Sequence, residues 1–369
     1  MTEPFKFGCI VDDEHFCPRP ELQRDLARYI RGGQNLVLQG ERRRGKSSLI
    51  VKTVRDIRGT GLLYVDLLGI ETRGDFCRRV VEGVTELDRS RSFVRKTVAL
   101  LSQLRPLVTV DANTGDMSVS VDVRSASGPD GIGAVMSMVA AHAKERRICV
   151  VFDEFQDILN LPDSAQALAE LRGKIQFLSA TSFVFLGSVR NQMSEIFAHP
   201  KSPFFKSALE VDVAEIDRPA IVEFLAGRFR GAKRRVESAF VGELYDSVLG
   251  VPGDLQELCD ALWSVTDSGD RVTPANLDAA YRYIFAHEGS SYEIYLRQLT
   301  LQQRKVLRAL ASTGGAHAFS NEFRDCAGVH NASSIKKALA RLVELGHVYY
   351  YRDEYRFASP FFREWIVRR

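Results

Sequence analysis

A glycine-rich turn set between an apolar run and a helix constrains this chain more than any other feature. Asn35-Leu-Val-Leu-Gln39 reads as a short strand that runs into Gly40, Glu41, Arg42, Arg43, Arg44, Gly45, Lys46, Ser47 and Ser48, and Ser47–Ile57 continues as a helix. The spacing G-x-x-x-x-G-K-[ST] between a strand and a helix has a physical meaning. Glycines let the backbone wrap closely around a polyphosphate, so that amide N–H groups and the helix N-terminus face the anion. Lys46 then sets a positive charge on the β- and γ-phosphates, and the Ser47 hydroxyl suits a magnesium ion. Gly40–Ser48 is therefore the expected ATP-binding loop. The three arginines, Arg42–Arg44, read as solvated charge on its flank.

A second run, Ile148-Cys-Val-Val-Phe-Asp-Glu154, supplies the partner of that loop. An acidic residue at the tip of a buried strand is costly unless it faces a cation or water. Asp153 is thus the expected magnesium-orienting residue, and Glu154 the general base that polarises an attacking water.

Strands and helices alternate through about residue 215: Leu62–Leu67, a helix over 72–86, a helix near 131–144, the strand 148–152, a helix near 164–179 and the strand 182–186. Near-continuous apolar strands between helices predict a parallel, doubly wound α/β sheet. Residues 104–123 break the rhythm. They alternate, turn at 113–116 and alternate again, which predicts a β-hairpin inserted at the surface to cover an edge. After Asp217-Arg-Pro219 the pattern is helical to about residue 285, and a linker is expected around Gly289–Ser291. The domain expectation is an α/β core over 1–215, a helical lid over 216–288 and a C-terminal module over 296–369.

Composition closes off several alternatives. A net charge of +3 over 369 residues places no global electrostatic demand for nucleic acid, so any such contact must be local. Six scattered cysteines form no C-x-x-C pair and fit free thiols in a reducing compartment. The N-terminus lacks a signal-peptide core, and no uncharged run reaches bilayer length. The expectation is a cytoplasmic protein with no membrane partner.

With the two loops in place, the chain resembles the AAA+-related P-loop ATPases, and within them the archaeal-type ATPase group close to the STAND and origin-initiator clades. Phe16-x-x-Arg19-x-Glu21-Leu22 resembles the box that precedes the P-loop in that group and lies against the nucleotide. Asp111-Ala-Asn-Thr-Gly115 is similar to its D-x-x-T-G hairpin, and Phe183–Ser188 occupies the sensor-1 place. Ser202-Pro-Phe-Phe-Lys206 resembles an S-P-L-Y-x-R segment, with lysine where arginine is usual, and Gly250-Val-Pro252 resembles the G-x-P signature of the helical lid. The resemblance covers about residues 5–285. It implies a nucleotide contact for Arg19, a γ-phosphate sensor at Ser188 (or Arg190 beside it), a finger-like role for Lys206 and adenine packing for Pro252. A lysine is a point charge and replaces an arginine fork poorly, so the hydrolysis rate and the oligomeric state stay open.

The last segment has its own order. Thr300 with Gln303 forms a capping box, 320–327 is a short second helix, and Asn331–Gly346 is a capped third helix with Ile335, Leu339, Leu342 and Leu345 facing inward. His347–Tyr351 and Tyr355–Ala358 then form a wing-like hairpin, and Phe361, Phe362 and Trp365 suit a terminal helix packed on it. This winged helix-turn-helix order resembles the module attached to the same ATPase group. Lys336, Lys337 and Arg341 on the third helix and Arg352 on the wing permit contact with double-stranded DNA, while a protein partner fits a winged helix equally well. The function these features imply is an ATP-hydrolysing switch coupled to the winged helix. The alternative is a DNA-binding regulator that uses ATP as a structural ligand with negligible turnover.

Overall fold

The computed structural model describes residues 3–11, 13–87, 91–101, 106–110, 117–121, 131–351 and 353–369. The chain divides into two compact units, one of Ile10–Ala214 and one that joins Met1–Cys9 to Glu215–Arg369. The first nine residues, expected in the α/β core, thus belong with the helical part. Phe5 is buried there against Phe229, and the Arg228 guanidinium donates to the Pro4 carbonyl at 2.8 Å.

The first unit is a five-stranded parallel sheet built from β1 (Leu36–Gln39), β2 (Thr60–Asp66), β5 (Arg147–Asp153), β6 (Ser182–Gly187) and β7 (Leu209–Asp212), in the order β2-β5-β6-β1-β7. Side chains alternate across a strand, and both faces of this sheet are covered. Val150, Phe152, Phe183 and Phe185 enter a core with Phe76, Phe155, Phe197 and Phe204, beneath the helices Arg73–Leu87, Gly131–Ala143 and Ser164–Ile175. Cys149, Val151, Val184 and Leu186 point the other way, to Leu49, Ile50 and Val54 of the helix Lys46–Arg55 and to Leu26 and Ile30 of the helix Pro20–Arg31. This two-sided burial is why the strands read as apolar runs and not as alternating ones.

The inserted hairpin is present as β3 (Pro106–Val110) and β4 (Met117–Val121), paired antiparallel with Pro106 opposite Val121. Among the described residues it pairs only with itself and adds no strand to the five-stranded sheet. β4 lies against the helices Arg73–Leu87 and Arg91–Leu100 and buries Val119. The Asp111–Gly115 turn lies outside the described residues.

In the second unit, the helices Arg218–Gly231, Ser238–Ser247 and Pro252–Ser264 are stapled by two short parallel strands, β8 (Arg235–Val236) and β9 (Arg271–Val272). The linker expected around Gly289–Ser291 is instead the middle of one helix, Leu277–Gln298. Glycine in a helix interior costs about 1 kcal/mol relative to alanine, and packing overrides that local preference here. Tyr292 packs its ring, tilted, against Phe362 and Trp365, Trp365 approaches Gly289, and Arg368 and Arg369 pair with Asp278 and Glu293.

The helices Leu301–Thr313, Asn321–Ala327 and Ala332–Glu344 follow, with side-chain caps at Thr300, Ser320 and Asn331. Then come the antiparallel pair β10 (Val348–Tyr351) and β11 (Glu354–Phe357) and the terminal helix Pro360–Val367. Ile335, Ala338, Leu339 and Leu342 are buried, and Leu345 is half-buried. No helix among the described residues is long and apolar enough to cross a membrane.

Candidate nucleotide site and winged-helix face

The loop after β1 is shaped by close approach. A side chain at Gly40 would meet the Val213 carbonyl at 3.3 Å, while Gly45 has φ +78°, a left-handed conformation that favours glycine, and caps the helix Lys46–Arg55. Lys46 is buried and its Nζ donates to the carbonyls of Gly40 at 2.8 Å and Glu41 at 2.9 Å. Burial lowers its pKa to about 8 against the opposing pull of Glu154 and Asp153. Arg42 and Arg43 are exposed, as expected. Arg44 is not solvated: it is 3% exposed and its guanidinium forms an ion pair with Glu41 at 2.5 Å. Ser48 is also buried, and its hydroxyl accepts the Val11 N–H at 3.2 Å.

Strand parity positions the acidic pair. Asp153 follows Cys149 and Val151 on the face that meets the helix Lys46–Arg55, so its carboxylate reaches the first turn of that helix. The Ser47 hydroxyl donates to Asp153 Oδ2 at 2.6 Å, and the Tyr64 hydroxyl donates to the same oxygen. Glu154 turns away from the strand with φ +48°, and its N–H donates to Asp153 Oδ1 at 2.9 Å. Because β6 lies between β5 and β1, Ser188 just beyond its end reaches Glu154 and donates to Oε2 at 2.8 Å. The Gln156 amide donates to the same oxygen at 2.5 Å. The structure thus joins Ser47, Asp153, Glu154 and Ser188 in one hydrogen-bonded network, while Lys46, next to Ser47 in the chain, holds the Gly40 carbonyl within reach of the Asp153 and Glu154 charges.

Two members of that network, Tyr64 and Gln156, escape the sequence reading. Tyr64 shares the face of Leu62, so the period of β2 carries a signal for it, but only once the neighbouring strand is known. Gln156 sits in the tight turn Phe155–Asn160, where no motif marks it.

The other expected contributors make no hydrogen bond to the acidic pair among the described residues. Arg19 touches the loop through its backbone: Nη2 donates to the Arg44 carbonyl at 2.7 Å and Nη1 to the Ala214 carbonyl at 2.9 Å. Arg190 pairs with Asp212 at 2.7 Å. Lys206 is exposed, with φ +51° and its ammonium over the Phe205 ring, and no bond joins it to the loop or the acidic pair among the described residues. Pro252 opens a helix of the other unit, after a left-handed Gly250 that lies on the Tyr245 ring.

The donor set fits magnesium and a triphosphate. A hard cation takes oxygen ligands, and Ser47 and Asp153 present a hydroxyl and a carboxylate side by side. Lys46 rests on neutral carbonyls, which anionic phosphate oxygens outcompete.

On the winged module, Lys336 and Lys337 are exposed on the third helix, and Arg341 is exposed but paired with Glu344 at 2.6 Å. Arg352 lies outside the described residues. Residues 290–369 hold 13 Lys and Arg against 7 Asp and Glu, a net of +6, whereas residues 1–289 hold 37 against 40, a net of −3. The small overall charge conceals this asymmetry.

Sheet order, anion loop and acidic strand end together define a P-loop ATPase fold followed by a winged helix. Comparison with known proteins agrees. A family model described as "Probable winged helix domain" matches residues 290–368. The Walker-type ATPase paby2304 of Pyrococcus abyssi superposes with a TM-score of 0.64 at 19% identity, covering 99% of both chains. The ORC2 protein of Aeropyrum pernix, solved as ADPNP–ADP complexes, gives 0.57 at 15% identity, covering 99% of this chain and 98% of that one. The ORC1 protein of the same organism, solved in complex with DNA, gives 0.52 at 15% identity over 95% and 92%. At these identities the likeness is one of fold. Curated proteins yield no sequence match.

Proposed function

We propose that this chain is a magnesium-dependent ATPase that works as a nucleotide-dependent switch, with its winged helix as the output module. The observation that carries the reading is the hydrogen-bonded network of Ser47, Asp153, Glu154 and Ser188, with Lys46 beside Ser47 in the chain and held on the Gly40 carbonyl within reach of both acidic charges. Bound ATP supplies the scissile phosphoanhydride, and magnesium offsets the charge that develops on it. Lys46 holds positive charge at the β- and γ-phosphates. Ser47 and Asp153 would hold the metal, and Tyr64 fixes the rotamer of Asp153. Glu154 takes the proton of the attacking water, while Ser188 and Gln156 keep its carboxylate oriented. The hydroxyl of Ser188 is also free to follow the γ-phosphate if Glu154 turns.

The winged helix is read as a DNA-contacting module, with Lys336 and Lys337 on phosphates. Its charge of +6 favours this over a protein partner, and one fold neighbour was solved with DNA. The test is phosphate release with and without Mg2+ from wild type, Lys46→Ala and Glu154→Gln, beside nucleotide binding by each. Turnover that needs Mg2+ and both residues supports the ATPase. Tight ATP binding by a wild type that releases no phosphate would leave ATP as a structural ligand.

A further inference from the structure

The chain passes between its two units twice, at Cys9–Ile10 and at Ala214–Glu215. Both crossings are tethered to the nucleotide loop from within the α/β unit. After the first crossing, the Val11 N–H donates to the Ser48 hydroxyl at 3.2 Å, one residue beyond the proposed metal ligand Ser47. Before the second, the Val213 N–H donates to the Gln39 carbonyl at 2.8 Å, which fixes β7 to β1 up to the residue where the chain departs. Ala214 itself is held by Arg19, which also holds the Arg44 carbonyl.

The chemistry of these two carbonyls matters. A peptide unit is planar, so a carbonyl and the N–H of the next residue turn together. The Arg44 carbonyl shares its plane with the Gly45 N–H, one of the loop donors that face an anion. The Ala214 carbonyl shares its plane with the Glu215 N–H, and that peptide is the crossing itself. The guanidinium is a rigid fork whose N–H groups keep a fixed mutual geometry. A turn of the 44–45 peptide toward a phosphate therefore shifts the group that orients the 214–215 peptide.

We propose that Arg19 is a positioning residue that couples the nucleotide loop to the connection between the units, and not a direct nucleotide contact. The inference rests on the switch reading above. It assigns the site in the α/β unit a mechanical output at Ala214, from which the helical and winged-helix residues extend.

The test is energy transfer between the units with and without Mg-ATP. Cys326 is exposed on the winged module, Phe177 is exposed on the α/β unit, and of the other cysteines only Cys9 is exposed. A Cys9→Ser, Phe177→Cys chain therefore carries one dye on each unit. In the Arg19→Gln form of this chain, Mg-ATP affinity is expected to stay within about threefold, with an unchanged melting temperature, while most of the nucleotide-dependent change in transfer is lost. Arg19→Lys loses it as well, because an ammonium cannot hold both carbonyls in one geometry. If either variant keeps the full change at saturating nucleotide, the coupling role is overturned. A large loss of affinity with the full change at saturation makes Arg19 a nucleotide contact and overturns it too. If the unsubstituted chain itself shows no change, the switch reading fails first and the inference falls with it.

Discussion

The candidate site of the α/β unit and the third helix of the winged module hold the charged residues assigned to them in opposite ways. In the α/β unit, Lys46, Arg44 and Asp153 are buried, and each is fixed by bonds to named partners. In the winged helix, Lys336 and Lys337 stand exposed on a helix whose other face makes the core. Burying a charge costs several kcal/mol unless it is paired, and each of these three is held by an ion pair or hydrogen bonds in the protein. An exposed lysine commits the chain to little. The chemistry of the first unit is written in its own residues, whereas that of the second depends on what approaches it.

The largest effects therefore belong to the buried set. Glu154→Gln is expected to lower turnover by about 10²–10⁴-fold while nucleotide still binds, and Lys46→Ala is expected to lose binding itself. Phosphate release paired with calorimetric titration separates the two. Equal losses of binding in both variants would blur the assigned roles.

Tyr64→Phe probes one shell further out. Partners of metal-ligating side chains are worth about tenfold or more in metal affinity. The variant should need about tenfold more Mg2+, both for turnover and for the thermal shift produced by Mg-ATP over ATP alone. An unchanged Mg2+ requirement would reduce the Tyr64–Asp153 bond to a fold contact.

The exposed set predicts smaller and salt-sensitive changes. Replacing Lys336 and Lys337 together by alanine should weaken binding to any duplex similarly and reduce the log–log salt slope by about 2. Fluorescence anisotropy across a salt series measures it. A slope that does not move would shift the winged helix toward a protein partner.

The smallest effect lies in the helical part. Burial, aided by Glu3, pushes the Asp260 carboxyl up from 3.8 to about 6. The folded state then binds this proton more tightly than the unfolded chain does. The resulting cost is absent below about pH 4 and complete above about pH 6. Asp260→Asn should raise the melting temperature by about 2 °C at pH 7 and leave it unchanged at pH 4.

How legible these features are in sequence follows the same contrast. The strands β5 and β6 are readable because two-sided burial makes them uniformly apolar, and the anion loop because its glycines and lysine are required by backbone geometry. Capping residues reveal the winged helix, since Thr300, Ser320 and Asn331 each satisfy an orphan helix N–H. Gly289–Ser291 misleads because propensity is local, while Tyr292 and Trp365 are brought together only by the fold. Arg44 misleads for a related reason: its burial depends on a turn that sets Glu41 against it. Tyr64 and Gln156 are hidden because a bond across two strands and a bond within the turn after β5 leave no spacing rule in the chain.

The most direct measurement is a structure of the wild-type chain with a non-hydrolysable ATP analogue and magnesium. The account predicts that Lys46 leaves the Gly40 and Glu41 carbonyls for phosphate oxygens, and that Ser47 and Asp153 separate to face the metal. A nucleotide bound while Lys46 stays on those carbonyls and Ser47 stays bonded to Asp153 would contradict it.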